Sequence, residues 1–148
     1  MRLGCTTPTS FKCPPNRLLP LQGIIEEDEL YSPQTFDMDG KRCLPVIKNG
    51  FNGVTIGRAT GIKSVVSSSP DNRSKKPSME WAILQYDSRS GPFSDSGDSG
   101  AIIVDGKGRI GGLLTSGTCG SESRPDVTYA TPFYWILQRT SGNKNSYI

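Results

Sequence analysis

Residues 97–117 read GDSGAIIVDGKGRIGGLLTSG, and the fold turns on them. Ala101 to Val104 is a short apolar strand. Asp105-Gly106 starts a tight hairpin turn, and Arg109 to Gly117 returns as a second strand. Working outward, four more strands surround this pair. LPVIKNG (Leu44 to Gly50) is apolar and ends in the turn signal Asn49-Gly50. Val54 to Val66 alternates at Val54 and Ile56 and holds Gly57 and Gly61 inside it. Interior glycines predict bulges or tight bends, as at the corners of a barrel. MEWAILQY (Met79 to Tyr86) puts Ala82, Leu84 and Tyr86 on one face and Trp81 and Ile83 on the other. VTYAT (Val127 to Thr131) is the sixth strand.

A helix then follows. Thr131 reads as its cap, Pro132 as its first residue, and Phe133, Ile136 and Leu137 as its apolar stripe, with Gly142 at its end. Together these segments predict an all-β fold: a six-stranded antiparallel barrel with a short C-terminal helix. The expected organisation is an irregular N-terminus over 1–16 and a connector over 17–43. The barrel spans 44–131, the helix 132–140 and a tail 141–148. The connector mixes Leu18, Leu19, Leu21, Ile24 and Ile25 with the acidic run Glu26 to Glu29. Ser67 to Ser78 reads as a polar loop.

Composition narrows the function classes. A chain of 148 residues fits one domain, with roughly 68–70% of its unfolded surface buried on folding. The content is 34% hydrophobic and 21% charged, with 17 Gly and 11 Pro, which favours short strands and turns. A net charge of +3 and the lack of a basic stripe with interleaved aromatics point away from nucleic acid. The one basic cluster, Arg73, Lys75 and Lys76, reads as a solvated loop. No apolar run is long enough for a membrane span, and the N-terminus lacks the apolar core of a signal peptide. The cytosol is therefore the default location and free thiols the default state of Cys5, Cys13, Cys43 and Cys119, although a Cys43–Cys119 bridge is conceivable. No C-x-x-C knuckle occurs, so neither a metal nor a cofactor is expected. Asp37 to Gly40 (DMDG) opens like a calcium loop, but Lys48 stands where the bidentate glutamate belongs, and a simple turn is expected.

The chemistry centres on Gly97-Asp98-Ser99-Gly100. A serine that attacks a carbonyl needs an exposed hydroxyl and backbone N–H groups aimed at the oxygen that becomes negative. Glycine before the serine lets the backbone take that conformation, and glycine after it leaves room for substrate. The turn is followed by an apolar strand, a DG hairpin, the strand ending LLTSG, the VTYAT strand and a helix. That order resembles the last third of the chymotrypsin-like serine proteases. The resemblance is strongest to a group of fungal trypsin-like proteins. It is carried by EWAILQYDSRSGPFSDSGDSGAIIVDGKGRIGGLLTSG, by DVTYATPFYWIL and by Lys48 to Gly61, and covers roughly residues 17–140.

The resemblance implies the second barrel of that family and peptide-bond hydrolysis. Ser99 matches the nucleophile, and the N–H groups of Gly97 and Ser99 match the oxyanion hole. Asp98 matches a buried carboxylate that orders the loop. Thr115, Ser116 and Gly117 match the strand that pairs with a bound peptide. Phe93 falls at the floor of the substrate pocket, which argues against selectivity for Arg or Lys. Trp81, Tyr129, Phe133 and Trp135 are expected in the core.

The family's general base is a histidine from a first barrel, and this sequence contains no histidine. The chain is expected to begin in the connector and to supply the second barrel only. A lysine base is not favoured: Lys107 is on the order of 20 Å away along the hairpin. Lys48 and Lys63 have no position from sequence. The expected function is an incomplete trypsin-like protease domain, its first barrel lost or encoded upstream, with peptide-bond hydrolysis not expected from this chain alone. The alternative is a non-catalytic module that binds extended peptides by strand addition. A third reading has the barrel active only when a separate first-barrel chain completes the cleft. The expected partners are a peptide or protein substrate and that separate barrel, with no nucleic acid and no membrane.

Overall fold

Side chains alternate across a strand, so each strand offers one face to a core. In the computed structural model, which describes residues 19–66, 78–118 and 126–142, this rule closes six antiparallel strands on one another. A short helix α1 (Glu27–Tyr31) precedes β1 (Leu44–Gly50), β2 (Gly53–Val66) and β3 (Ser78–Gln85). Then come β4 (Ile102–Asp105), β5 (Ile110–Thr118), β6 (Val127–Pro132) and helix α2 (Phe133–Gly142). Around the barrel the order is β1-β2-β3-β6-β5-β4, with β4 closing on β1. The all-β barrel with its C-terminal helix is the fold expected from sequence. Residues 1–16, expected to be irregular, most of the expected polar loop and its basic cluster, the end of the tail, and Cys5, Cys13 and Cys119 lie outside the described residues. Cys43 is a buried thiol.

The interior is built from inward positions on the strands, two of them on β3. Val46, Trp81, Ile83, Ile103, Leu114 and Ala130 meet there. Each large apolar side chain so buried contributes about 1.5–3 kcal/mol. Trp81 fits because Gly111 faces it; a methyl group there would lie 2.8 Å from the indole. Gly61, at φ +78°, sits where the β2–β3 register shifts between Ala59 and Lys63, so the expected bend is present.

Two expectations need correction. Pro132 is the last residue of β6, opposite Gly112, and the helix starts at Phe133. A residue before proline is pushed out of helical geometry, so Thr131 stays extended and carries the strand one residue further. The connector also holds more structure than its composition suggests. Ile24 bridges to Ile110, and Ile25 and Leu30 are fully buried against the barrel. Arg109 donates to both carboxylate oxygens of Glu29, at 2.7 and 2.6 Å, which ties α1 to the β4–β5 hairpin. The DMDG segment is a turn, in which Asp37 Oδ1 accepts the N–H groups of Asp39 and Lys41.

The segment between β3 and β4 crosses one end of the barrel to reach the strand beside β1. It carries GDSG. Because β1 and β4 run antiparallel with Lys48 opposite Ile103, the residues before β4 lie against the end of β1 and its hairpin. That register positions the site.

Candidate active site around Ser99

Ser99 is exposed at the barrel rim between two glycines in the left-handed region, Gly97 at φ +96° and Gly100 at φ +87°. The amides of the turn alternate in their use. Asp98 N–H donates to Asp95 O at 3.1 Å, and Gly100 N–H donates to Leu114 O at 2.8 Å. Among the described residues, the N–H groups of Gly97 and Ser99 have no acceptor. Two amide donors without an acceptor thus lie next to the exposed hydroxyl. Among the described residues the Ser99 hydroxyl reaches Thr115 O, at a long 3.4 Å.

Asp98 points the opposite way, into the barrel. Its carboxylate lies 2.6 Å from the Lys48 ammonium, and both side chains are 0% exposed. Leu44, Val46 and Lys48 share the inward face of β1, so the strand's period of two delivers the lysine stem into the barrel mouth. Asp98 also accepts the N–H groups of Asn52 and Asp95, each at 3.0 Å. Burial acts to raise its pKa. The Asn52 N–H, the Lys48 ammonium and the Asp95 N–H outweigh burial and hold the carboxyl well below the usual carboxylate range.

The β1–β2 hairpin completes this clamp. Gly50 approaches so closely that a methyl group there would sit 2.4 Å from Asp98 Oδ1. Asn52 Nδ2 donates to Ser96 O at 2.8 Å. Phe51, 84% exposed, lies beside Gly97, where an added Cβ would meet its ring at 3.0 Å. One hairpin tip therefore grips Ser96, Gly97 and Asp98 together.

The other expected site residues fall on two levels. Thr115, Ser116 and Gly117 line β5 beyond the point where β4 ends, and all three are exposed. Thr115 sits in the register shift between Leu114 and Ser116, while Ser116 and Gly117 pair with Tyr129 and Thr128 of β6. Past Leu114, β5 has no strand on its β4 side among the described residues. Phe93, by contrast, is 1% exposed and part of the core, over Gly57 and Ile83. Its carbonyl accepts Thr55 Oγ1 at 2.6 Å. The next residue, Ser94, reaches the surface chemistry: its hydroxyl pairs with that of Thr128 at 2.6 Å and faces Gly117.

Trp81 is fully buried, and Tyr129, Phe133 and Trp135 are half-buried. Of the lysines, Lys48 is committed to Asp98, and Lys63 pairs at the surface with Glu27 at 3.2 Å. Sequence reasoning named neither Lys48 as the partner of Asp98, nor Gly50 and Asn52 beside the loop, nor Glu80, whose carboxylate lies 3.2 Å from Thr115 Oγ1. The readable signal for Lys48 was its place on the inward face of an apolar strand. For Glu80 it was a lone charge inside MEWAILQ. Comparison with protein-family models and with curated proteins finds no match for this chain.

Proposed function

We propose that this barrel carries the nucleophile and oxyanion-hole half of a trypsin-like serine protease site, and that residues 1–148 alone do not hydrolyse peptides at a protease rate. The observation that carries the reading is the Gly97–Gly100 turn. Its serine is exposed, its two flanking amides are unsatisfied among the described residues, and its aspartate is locked inward by Lys48. In this reading Ser99 Oγ attacks the scissile carbonyl, and the Gly97 and Ser99 N–H groups hold the resulting oxyanion. Asp98 orders the loop. Thr115 to Gly117 offer backbone to an extended substrate. Phe93, packed in the core at 1% exposure, offers no surface to a substrate side chain.

The base is what this sequence does not hold, since it has no histidine. Loss of the histidine from a triad costs roughly 10⁶-fold in turnover. That is about 8 kcal/mol of barrier. The oxyanion hole and binding alone leave roughly 10³–10⁴-fold over water. Slow labelling by a fluorophosphonate, confined to Ser99 by peptide mapping and abolished in Ser99→Ala, is the expected result. Labelling at a full serine-protease rate sinks the claim of inactivity. Labelling spread evenly over other hydroxyls sinks the site itself.

The open flank of β5 favours a second reading, a module that binds extended peptides by strand addition without cleaving them. Under that reading Ser99→Ala binds an extended peptide as well as the unmodified chain does. A titration followed by β5 amide shifts separates the two.

A further inference from the structure

Glu80 is a buried carboxylate, 4% exposed, with no cation beside it among the described residues. Trp81 and Ile83 fill the interior from β3, so Glu80 lies on the outer face, toward β6 and β5. Two hydroxyls hold it. Thr131 Oγ1 shares its proton between the two oxygens at 3.0 and 3.3 Å, and Thr115 Oγ1 shares its proton between Oε2 at 3.2 Å and Tyr129 O at 3.1 Å. An ionised carboxylate has about four acceptor sites, so Oε1, with one long contact, keeps capacity. Burying a charge without a counter-charge is costly, and nothing in the packing of the barrel calls for it.

Its place gives it a use. Thr115 bonds Glu80 through its hydroxyl and accepts Ser99 Oγ through its carbonyl, at 3.4 Å. One residue thus links the serine to the carboxylate, which lies within about 11 Å of the Ser99 hydroxyl. An imidazole with a hydrogen bond at each nitrogen spans roughly 7–8 Å. Thr115 is exposed, and the carboxylate sits behind it, as the buried member of a serine–base–acid relay must.

We propose that Glu80 is the positioning carboxylate of this site, and that it accepts the second N–H of an imidazole base whose other nitrogen takes the Ser99 proton. The proposal rests on the Ser99 reading above. It relocates the acid of the relay into this barrel, on β3, whatever polypeptide supplies the imidazole. In the acylation step Ser99 Oγ bonds to an ester carbonyl carbon. The Ser99 proton passes to the imidazole, the imidazolium N–H faces Glu80, and the alkoxide or phenolate of the ester leaves with the bond electrons.

Free imidazole tests this on the full 148-residue chain. The readout is Ser99 acylation by p-nitrophenyl acetate, followed by intact mass with and without added base. Imidazole is expected to accelerate acylation in the unmodified chain and not in Ser99→Ala. N-methylimidazole accepts the proton equally well but has no second N–H to give. It is expected to stimulate at least tenfold less, a smaller gap than the roughly 10⁴-fold seen when an intact triad loses its orienting carboxylate. Glu80→Gln is expected to erase the difference between the two bases, which a merely structural role does not do. The two-base comparison needs no variant and stands if Glu80→Gln fails to fold. Equal, Ser99-dependent stimulation by both bases overturns the role of Glu80 and leaves the nucleophile reading intact. No Ser99-dependent stimulation by either base overturns both.

Discussion

Strand β4 is bracketed by two aspartates that do the same job by different means. Asp105, at its end, accepts the N–H groups of Lys107 and Arg109 and pairs with the Arg109 guanidinium at 2.7 Å. Every partner lies within four residues. Asp98, just before the strand, also accepts two N–H groups and pairs with a cation. Its cation is Lys48 and one of its donors is Asn52, from the far side of the sequence. Arg109 is partly exposed and shared with Glu29, whereas Lys48 and Asp98 are wholly buried. A local ion pair, its aspartate buried but its guanidinium 21% exposed, shapes a hairpin. A distant pair, buried on both sides, holds the Ser99 loop in place, and removing its cation leaves a bare charge in the interior.

The largest expected effect follows from that difference. Lys48→Met strands the Asp98 carboxylate and should cost about 3–5 kcal/mol in urea denaturation. A loss below about 1 kcal/mol breaks the contrast, because the buried pair then matters no more than a surface one. Acid titration sharpens it. The Asp98 pKa is lowered by folding, so its contribution is complete above the ordinary aspartate range and is lost as pH falls below it. The unmodified loop should therefore resist mild acid. In Lys48→Met, loop opening, read as loss of Ser99 labelling, should begin at a higher pH. An unchanged onset means that the ammonium does not hold the carboxyl down.

A smaller effect is expected at the hairpin that closes on the same carboxylate. Gly50→Ala places a methyl group 2.4 Å from Asp98 Oδ1 and should cost about 1–3 kcal/mol. Ser99 labelling should fall with it. Stability lost without any change in labelling separates the hairpin from the loop it grips. The smallest effect belongs to Arg109→Met. Asp105 is buried but keeps its two backbone donors, and Arg109 and Glu29 are partly solvated, so about 1 kcal/mol is expected, less at high salt. A salt-independent loss as large as that of Lys48→Met erases the distinction between the two ends of β4.

Much of the barrel was legible because strands and turns are written in neighbouring residues. The inward set of β3, Trp81 and Ile83, follows from alternation alone. Gly61 announces its bend, and Asp105-Gly106 its hairpin. The exposed Ser99 between two glycines was legible for the same reason. The connector was harder, since α1 is only five residues long and its burial comes from docking, not from periodicity. Pro132 shows a local rule winning over a plausible one: the restriction on Thr131 extends β6 and delays the helix.

Sequence by itself determined the strands, the glycine-flanked serine and the want of a histidine, because each is a matter of residue type or of spacing over a few positions. Only the tertiary structure decided that Lys48 answers Asp98, that Gly50 and Asn52 grip the loop, and that Glu80 stands behind Thr115. Those contacts join residues 35–50 positions apart, and they exist only once antiparallel strands close in one register. Charge and hydrogen-bonding act over a few ångströms of space, and the chain order alone does not say which distant groups will share them.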